Sequence, residues 1–143
     1  MRLSTVEDTR SFGRSLAAKL RAGDLVLLTG PLGAGKTAFA QGVGAGLGVD
    51  GEVTSPTFVI ARVHRGGRVP LVHVDAYRLG GRLELDDLDL DETVEDSVTL
   101  VEWGEGVAEQ LAASYLEVRI ERLDDDSREV ELVPHGDGWS DRI

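Results

Sequence analysis

The 143 residues contain no cysteine, which excludes disulfides, thiolate metal sites and a cysteine nucleophile together. Lysine is scarce, since Lys19 and Lys36 are the only two. No lysine or arginine falls between Arg82 and Arg119, and within that gap residues 84–96, ELDDLDLDETVED, carry eight carboxylates. Acidic residues outnumber basic ones by 26 to 15, for a formal charge of −11. Such a field repels a phosphate backbone and attracts a basic protein surface, so a direct nucleic-acid footprint is disfavoured. No apolar run approaches the ~20 residues of a membrane span. The start, MRLSTVEDTRSFG, lacks the apolar core of a signal peptide, and Glu7 and Asp8 argue against a transit peptide. With 41% apolar and 29% charged residues, the expectation is one soluble, cytoplasmic α/β domain over 1–143 with a loose tail at 136–143.

What is present begins with GPLGAGKT at 30–37. Gly30, Gly35, Lys36 and Thr37 satisfy G-x-x-x-x-G-K-[ST]. The apolar run LVLL at 25–28 precedes them as a buried strand, and TAFAQGVGAGLG follows as a helix starting near Lys36 and stopping at Gly48. Backbone N–H groups around Gly33, Ala34 and Gly35 converge on phosphate oxygens only where side chains do not intrude, and the helix start adds its positive end. Lys36 then bridges β- and γ-phosphates while the Thr37 hydroxyl takes one position on Mg²⁺. Gly42, Gly44 and Gly46 weaken the helix and point to close packing against another element.

Mg²⁺ held by a hydroxyl and phosphate still needs carboxylate help. Two carboxylates end apolar strands: Asp75 closes PLVHVD and Glu102 closes VTLVE, at the edge where open α/β sheets place ligands. Asp75 resembles a Walker B aspartate, and Glu102 is either a metal ligand or the base for water. His73 reads as a half-buried strand residue. Thr54, Ser55 and Thr57 flank Pro56 on a loop, in the region where many P-loop proteins sense the γ-phosphate. Tyr77 and Arg78 lie just past the strand end.

Other elements follow from spacing. Ser4 and Glu7 form a capping box before a helix of about 5–21 with Phe12, Leu16, Ala17 and Leu20 on one face. Runs 58–63 and 69–74 flank the RGGR turn as a hairpin, and YLEVRIERL and REVELV form a second hairpin around DDDS. Stretch 83–96 gives a short helix and a loop, and EGVAEQLA at 105–112 a short helix. The fold class is therefore a three-layer α/β P-loop NTPase domain with a mainly parallel central sheet, extended by antiparallel hairpins at 58–74 and 115–133.

Taken in order, GPLGAGKT, VTSPTF, HVDAYRL and LVEW closely resemble the TsaE family, the ATPases of bacterial threonylcarbamoyladenosine biosynthesis on tRNA, over roughly residues 5–133. The P-loop alone does not single out this family; the later motifs do. The resemblance implies an ATP-hydrolysing component, slow alone and faster with TsaB and TsaD, that lets the threonylcarbamoyl transferase turn over while tRNA is held mainly through the complex. It implies that Leu32, Gly33, Ala34, Gly35, Lys36 and Thr37 bind ATP, with Thr9 and Arg128 as further contacts. Thr37, Asp75 and Glu102 would be Mg²⁺ ligands, Ser55, Pro56, Thr57 and Phe58 a switch-like loop, and Trp103 a neighbour of the site. The chain departs from the family pattern at Pro31, where Asp is frequent, and at Gly104, where Pro usually follows E-W. The acidic 84–96 segment is a candidate partner face. A small-molecule kinase is the alternative, but the base-free 82–119 interval supplies no arginine-rich lid. A GTP switch lacks an N/T-K-x-D motif, and a nucleotide-binding scaffold with negligible hydrolysis merges with the ATPase reading.

Overall fold

The organising element is β2, Leu25–Thr29, whose five residues are all buried. A strand buried on both faces reads as an unbroken apolar run and belongs at the centre of a parallel sheet. The computed structural model bears this out; it describes residues 2–30, 35–49, 61–75, 94–102, 114–125, 127–136 and 139. Beside β2 run β5, Val98–Glu102, on one side and β6, Tyr115–Arg122, on the other, both parallel to it. β4, Leu71–Asp75, continues the parallel set next to β5. Antiparallel strands close each edge: β3, Ala61–His64, pairs with β4, while β7, Arg128–His135, pairs with β6 and in turn with the two-residue β1, Arg2–Leu3. The order across the sheet is β1-β7-β6-β2-β5-β4-β3. The four inner strands are thus parallel and both expected hairpins lie at the margins. The pairing of β1 with β7 has no precursor in the sequence reading.

Two helices cover one face. α1, Val6–Ala17, and α2, Lys36–Leu47, pack on each other and share a core with Val26, Leu28, Leu100, Leu116, Val118 and Ile120. The opposite face is also closed from water, because Leu25, Val72, Val74, Thr99 and Val101 are fully buried there. The apolar layers on both sides of the sheet agree with a three-layer α/β arrangement. The helix expected at 105–112 lies outside the described residues.

Close approach of α1 and α2 explains Gly42 and Gly46, together with Gly13. A Cβ at Gly42 would stand 2.1 Å from the Arg10 carbonyl oxygen, one at Gly13 2.4 Å from that of Phe39, and one at Gly46 2.5 Å from the Ala17 Cβ. At Gly42 and Gly13 the neighbour is backbone, and at Gly46 the Arg14 carbonyl oxygen would also be met at 2.7 Å, so only glycine fits. Gly13 was not among the glycines singled out from sequence, because one glycine in an otherwise ordinary helical pattern carries no sign of its neighbour.

Two sequence expectations need correction. The capping box is shifted by one residue: Thr5 Oγ1 accepts the Asp8 amide at 3.1 Å and Asp8 accepts the Thr5 amide at 3.2 Å, instead of Ser4 and Glu7. α1 ends at Ala17 and not near Arg21. There the Leu20 amide donates to the Ala17 carbonyl at 3.1 Å, closing a tighter turn, and the Arg68 guanidinium donates to the carbonyls of both Ala17 and Leu20. In the stretch expected to be a loose tail, Trp139 is 3% exposed and part of the core, while 137–138 and 140–143 lie outside the described residues. Burial of so large an aromatic surface opposes the fraying usual at a terminus. Within 83–96, the described part is a short 3₁₀ turn, Val94–Asp96.

Candidate functional site

The site lies where the inner strands end. β2 runs out at Thr29, Gly30 follows with φ 146°, and α2 opens on Gly35 with φ 102°. Both dihedrals favour glycine, which has no Cβ to clash. Gly35 offers the helix no side-chain cap, and the first turn of α2 contains no acidic residue. With no side-chain cap and no acid of its own in the first turn, this helix start turns its positive dipole end toward an anion.

Lys36 turns back over the strand end and donates from Nζ to the Gly30 carbonyl at 3.0 Å, with the residue only 6% exposed. A second cation stands at the same place. A Cβ at Gly35 would come 3.2 Å from Nε of Arg128, so the guanidinium overhangs the helix start. β7 brings Arg128 there through its pairing with β1, in which Leu3 is the register partner of Arg128. Two residues beyond β1 comes Thr5, the cap of α1, and then Thr9, buried, with Oγ1 3.4 Å from the Thr5 carbonyl. Thr37 follows Lys36 in the first turn, half-buried.

On the next strands, Asp75 and Glu102 are register partners at the ends of β4 and β5, and Glu102 is also the register partner of Leu28 in β2. Two strand-end carboxylate positions thus stand in one row beside the glycine loop. Glu102 is 6% exposed and its Oε2 lies 2.8 Å from Nε2 of His73. His73 is fully buried, not half-buried, and pairs in register with Leu100, one same-face step below Glu102. The signal was present in the alternation of LVHVD, where a polar ring stands in a row that the neighbouring strand fills with leucine. Further out on β3, burial, the neighbouring His73 and Arg62 push His64 below its ordinary value.

Behind the loop, on the other face of the sheet, Thr29 is held by a polar cluster. The Glu117 carboxylate accepts Thr29 Oγ1 at 3.2 Å, Arg119 Nε at 2.8 Å and His135 Nε2 at 2.8 Å. Burial alone would push this carboxyl up, but the hydrogen bonds from Arg119 and His135, the Arg119 charge and the Thr29 hydroxyl outweigh it and hold Glu117 below its ordinary value. His135 also stacks on Tyr115 at 4.5 Å. None of this was legible from the sequence, since Thr29, Glu117 and His135 are far apart along the chain.

Of the site residues expected from sequence, Gly35, Lys36 and Arg128 are brought together, and Asp75 and Glu102 stand side by side. Thr9 sits near the start of the helix that follows β1. Leu32, Gly33, Ala34, Ser55, Pro56, Thr57, Phe58, Tyr77, Arg78 and Trp103 lie outside the described residues. Among the described residues no helix is long and apolar enough to cross a membrane.

Comparisons with known proteins follow the same line. A family model described as threonylcarbamoyl adenosine biosynthesis protein TsaE matches residues 3–130. The Streptomyces coelicolor tRNA threonylcarbamoyladenosine biosynthesis protein TsaE is 56% identical over 138 residues, covering 92% of this chain and 93% of that protein. Its Bacillus subtilis counterpart is 41% identical over 134 residues, covering 93% of this chain and 84% of that protein. Among solved structures, that of Bacillus subtilis YdiB superposes with a TM-score of 0.80 at 36% identity, covering 95% of this chain and 84% of that one.

Proposed function

The chain belongs to the TsaE family of tRNA threonylcarbamoyladenosine biosynthesis proteins, and from that premise we propose that it is the Mg²⁺-dependent ATPase of this modification system, acting in the cytoplasm with TsaB and TsaD. The observation that carries the proposal is the glycine-bounded, uncapped start of α2, with Lys36 on the Gly30 carbonyl and Arg128 beside Gly35, next to the paired strand ends of Asp75 and Glu102.

The residues present fit a nucleoside triphosphate with its metal. An uncapped helix start with Lys36 and Arg128 beside it and no acid in its first turn suits a polyphosphate, and acidic residues in register at two neighbouring strand ends suit a hard divalent cation. Leu32 to Thr37 would hold the phosphates, with Lys36 on the β- and γ-oxygens. Thr37, Asp75 and Glu102 would hold the metal, and Thr9 and Arg128 would contact the nucleotide. When bound, ATP with Mg²⁺ supplies a γ-phosphoryl group whose transfer to water yields ADP and phosphate. Lys36 contributes fixed positive charge where negative charge accumulates, and Arg128 adds to it. Glu102 either completes the metal site or orients and deprotonates water. Ser55 to Phe58 would respond to the γ-phosphate, so that hydrolysis alters the grip on TsaB and TsaD, while tRNA is held mainly by the complex.

The test is ATP turnover of the purified chain, alone and with TsaB and TsaD, beside Lys36→Ala. Slow hydrolysis that rises with both partners is expected, together with a loss of at least ~100-fold on Lys36→Ala, in keeping with removal of a transition-state charge. Hydrolysis that survives Lys36→Ala overturns the site assignment. Equal rates with and without the partners overturn partner-dependent turnover, and a phosphorylated small-molecule product identifies a kinase instead.

A further inference from the structure

Nothing in the proposed chemistry uses His73, yet it is the one polar side chain among the described buried positions of β4, beside Leu71, Val72 and Val74. A parallel strand buried on both faces is served best by apolar residues, and a buried His–Glu pair is seldom more stabilising than an apolar pair of similar volume. Among the described residues its Nδ1 has no hydrogen-bond partner. A side chain kept only for packing would not carry that cost.

We propose that His73 is a positioning residue for Glu102. An ionised carboxylate only accepts hydrogen bonds, so Nε2 of His73 carries the proton and donates to Oε2 across 2.8 Å. The bond runs diagonally between neighbouring strands, from position 73 on β4 to the residue two beyond its register partner Leu100. It fixes the rotamer of a carboxylate at the end of β5, whose register partner on β4 is Asp75. With Oε2 engaged, Oε1 is the oxygen left for the metal or for water. This rests on the ATPase reading, and it adds a residue in the shell behind the ligands whose loss lowers metal affinity or turnover without touching the nucleotide.

The test uses the full chain with three substitutions. His73→Leu keeps bulk and removes the donor, His73→Asn is polar but too short to reach, and His73→Gln returns an N–H near the original place. Thermal melting confirms folding. Calorimetry then measures Mn²⁺ affinity with a non-hydrolysable ATP analogue present, and steady-state assays with TsaB and TsaD measure kcat and KM. For Leu and Asn we expect metal affinity or kcat to fall about 10- to 100-fold with KM for ATP unmoved, and for Gln a recovery of most of the loss. Independently of activity, ¹⁵N NMR of the imidazole should show Nε2 protonated, with its slowly exchanging proton lost in Glu102→Ala. Folded Leu and Asn variants with wild-type metal affinity and kcat overturn the proposal, as does a Gln variant as impaired as Leu. Should Leu not fold, Asn, Gln and the NMR signal decide. A wild-type chain that neither binds the analogue nor hydrolyses ATP sinks the function reading instead.

Discussion

Gly42→Ala sets two physical effects against each other. In an exposed helix alanine is favoured over glycine by about 1 kcal/mol, because glycine loses more backbone freedom on folding. At position 42, however, the new Cβ would meet the Arg10 carbonyl oxygen at 2.1 Å, the Arg10 carbonyl carbon at 2.9 Å and its Cα at 3.0 Å. All three are backbone atoms of α1, so no side chain can swing aside. To reach even 3.0 Å from that oxygen the helices must separate by 0.9 Å, the difference between 3.0 and 2.1. Such a shift opens the Phe12–Phe39 contact, now 6.0 Å between ring centres, and the core beneath it. Overpacking costs about 1–3 kcal/mol, and a clash bounded by backbone belongs at the upper end. Subtracting the propensity gain leaves a net destabilisation of about 2 kcal/mol, or a fall in Tm of roughly 6 °C for a chain of this size. Thermal unfolding by circular dichroism measures it, with Ala45→Gly as the control. Ala45 is exposed on the same helix, and its replacement should cost only about 1 kcal/mol through propensity. A Gly42→Ala protein that melts above the wild type would refute the close-packing argument.

Trp139→Ala should lower stability by about 3 kcal/mol, the lower end for a buried tryptophan, and Tm by roughly 10 °C; an unchanged melt would mean the tail does not hold the core. Glu117→Gln should act in acid. The folded pKa of Glu117 lies below its usual 4.5, so the stability it contributes is complete above that pH and lost as pH falls through the folded value. The wild type should therefore lose Tm more steeply than Glu117→Gln below pH 4.5, and parallel slopes would show that the cluster under Thr29 has no linkage to folding.

Much of the fold could be read locally. LVLL, the glycine loop and a helix start at Lys36 follow from an apolar run, a turn rich in glycine and a change of period within some twenty residues. The ends of β4 and β5 at Asp75 and Glu102 follow equally from where two apolar runs stop. Where the reading slipped at the end of α1, a competing contact came from elsewhere, since Arg68 lies far along the chain from Ala17. The slip at its start was local, because Thr5 and Asp8 form a capping box one residue beyond Ser4 and Glu7.

By itself the sequence determined the type of α1, α2 and strands β2 to β7 and the residue types offered at strand ends and at the start of α2, because period and turn chemistry act between near neighbours along the chain. Only the tertiary structure decided that β5 lies between β2 and β4, so that Glu102 stands between Leu28 and Asp75. It alone set Arg128 over Gly35, tied His73 to Glu102 and pressed Gly42 against Arg10. Those outcomes depend on how separate strands and helices bury their apolar faces against one another, which no stretch of sequence contains on its own.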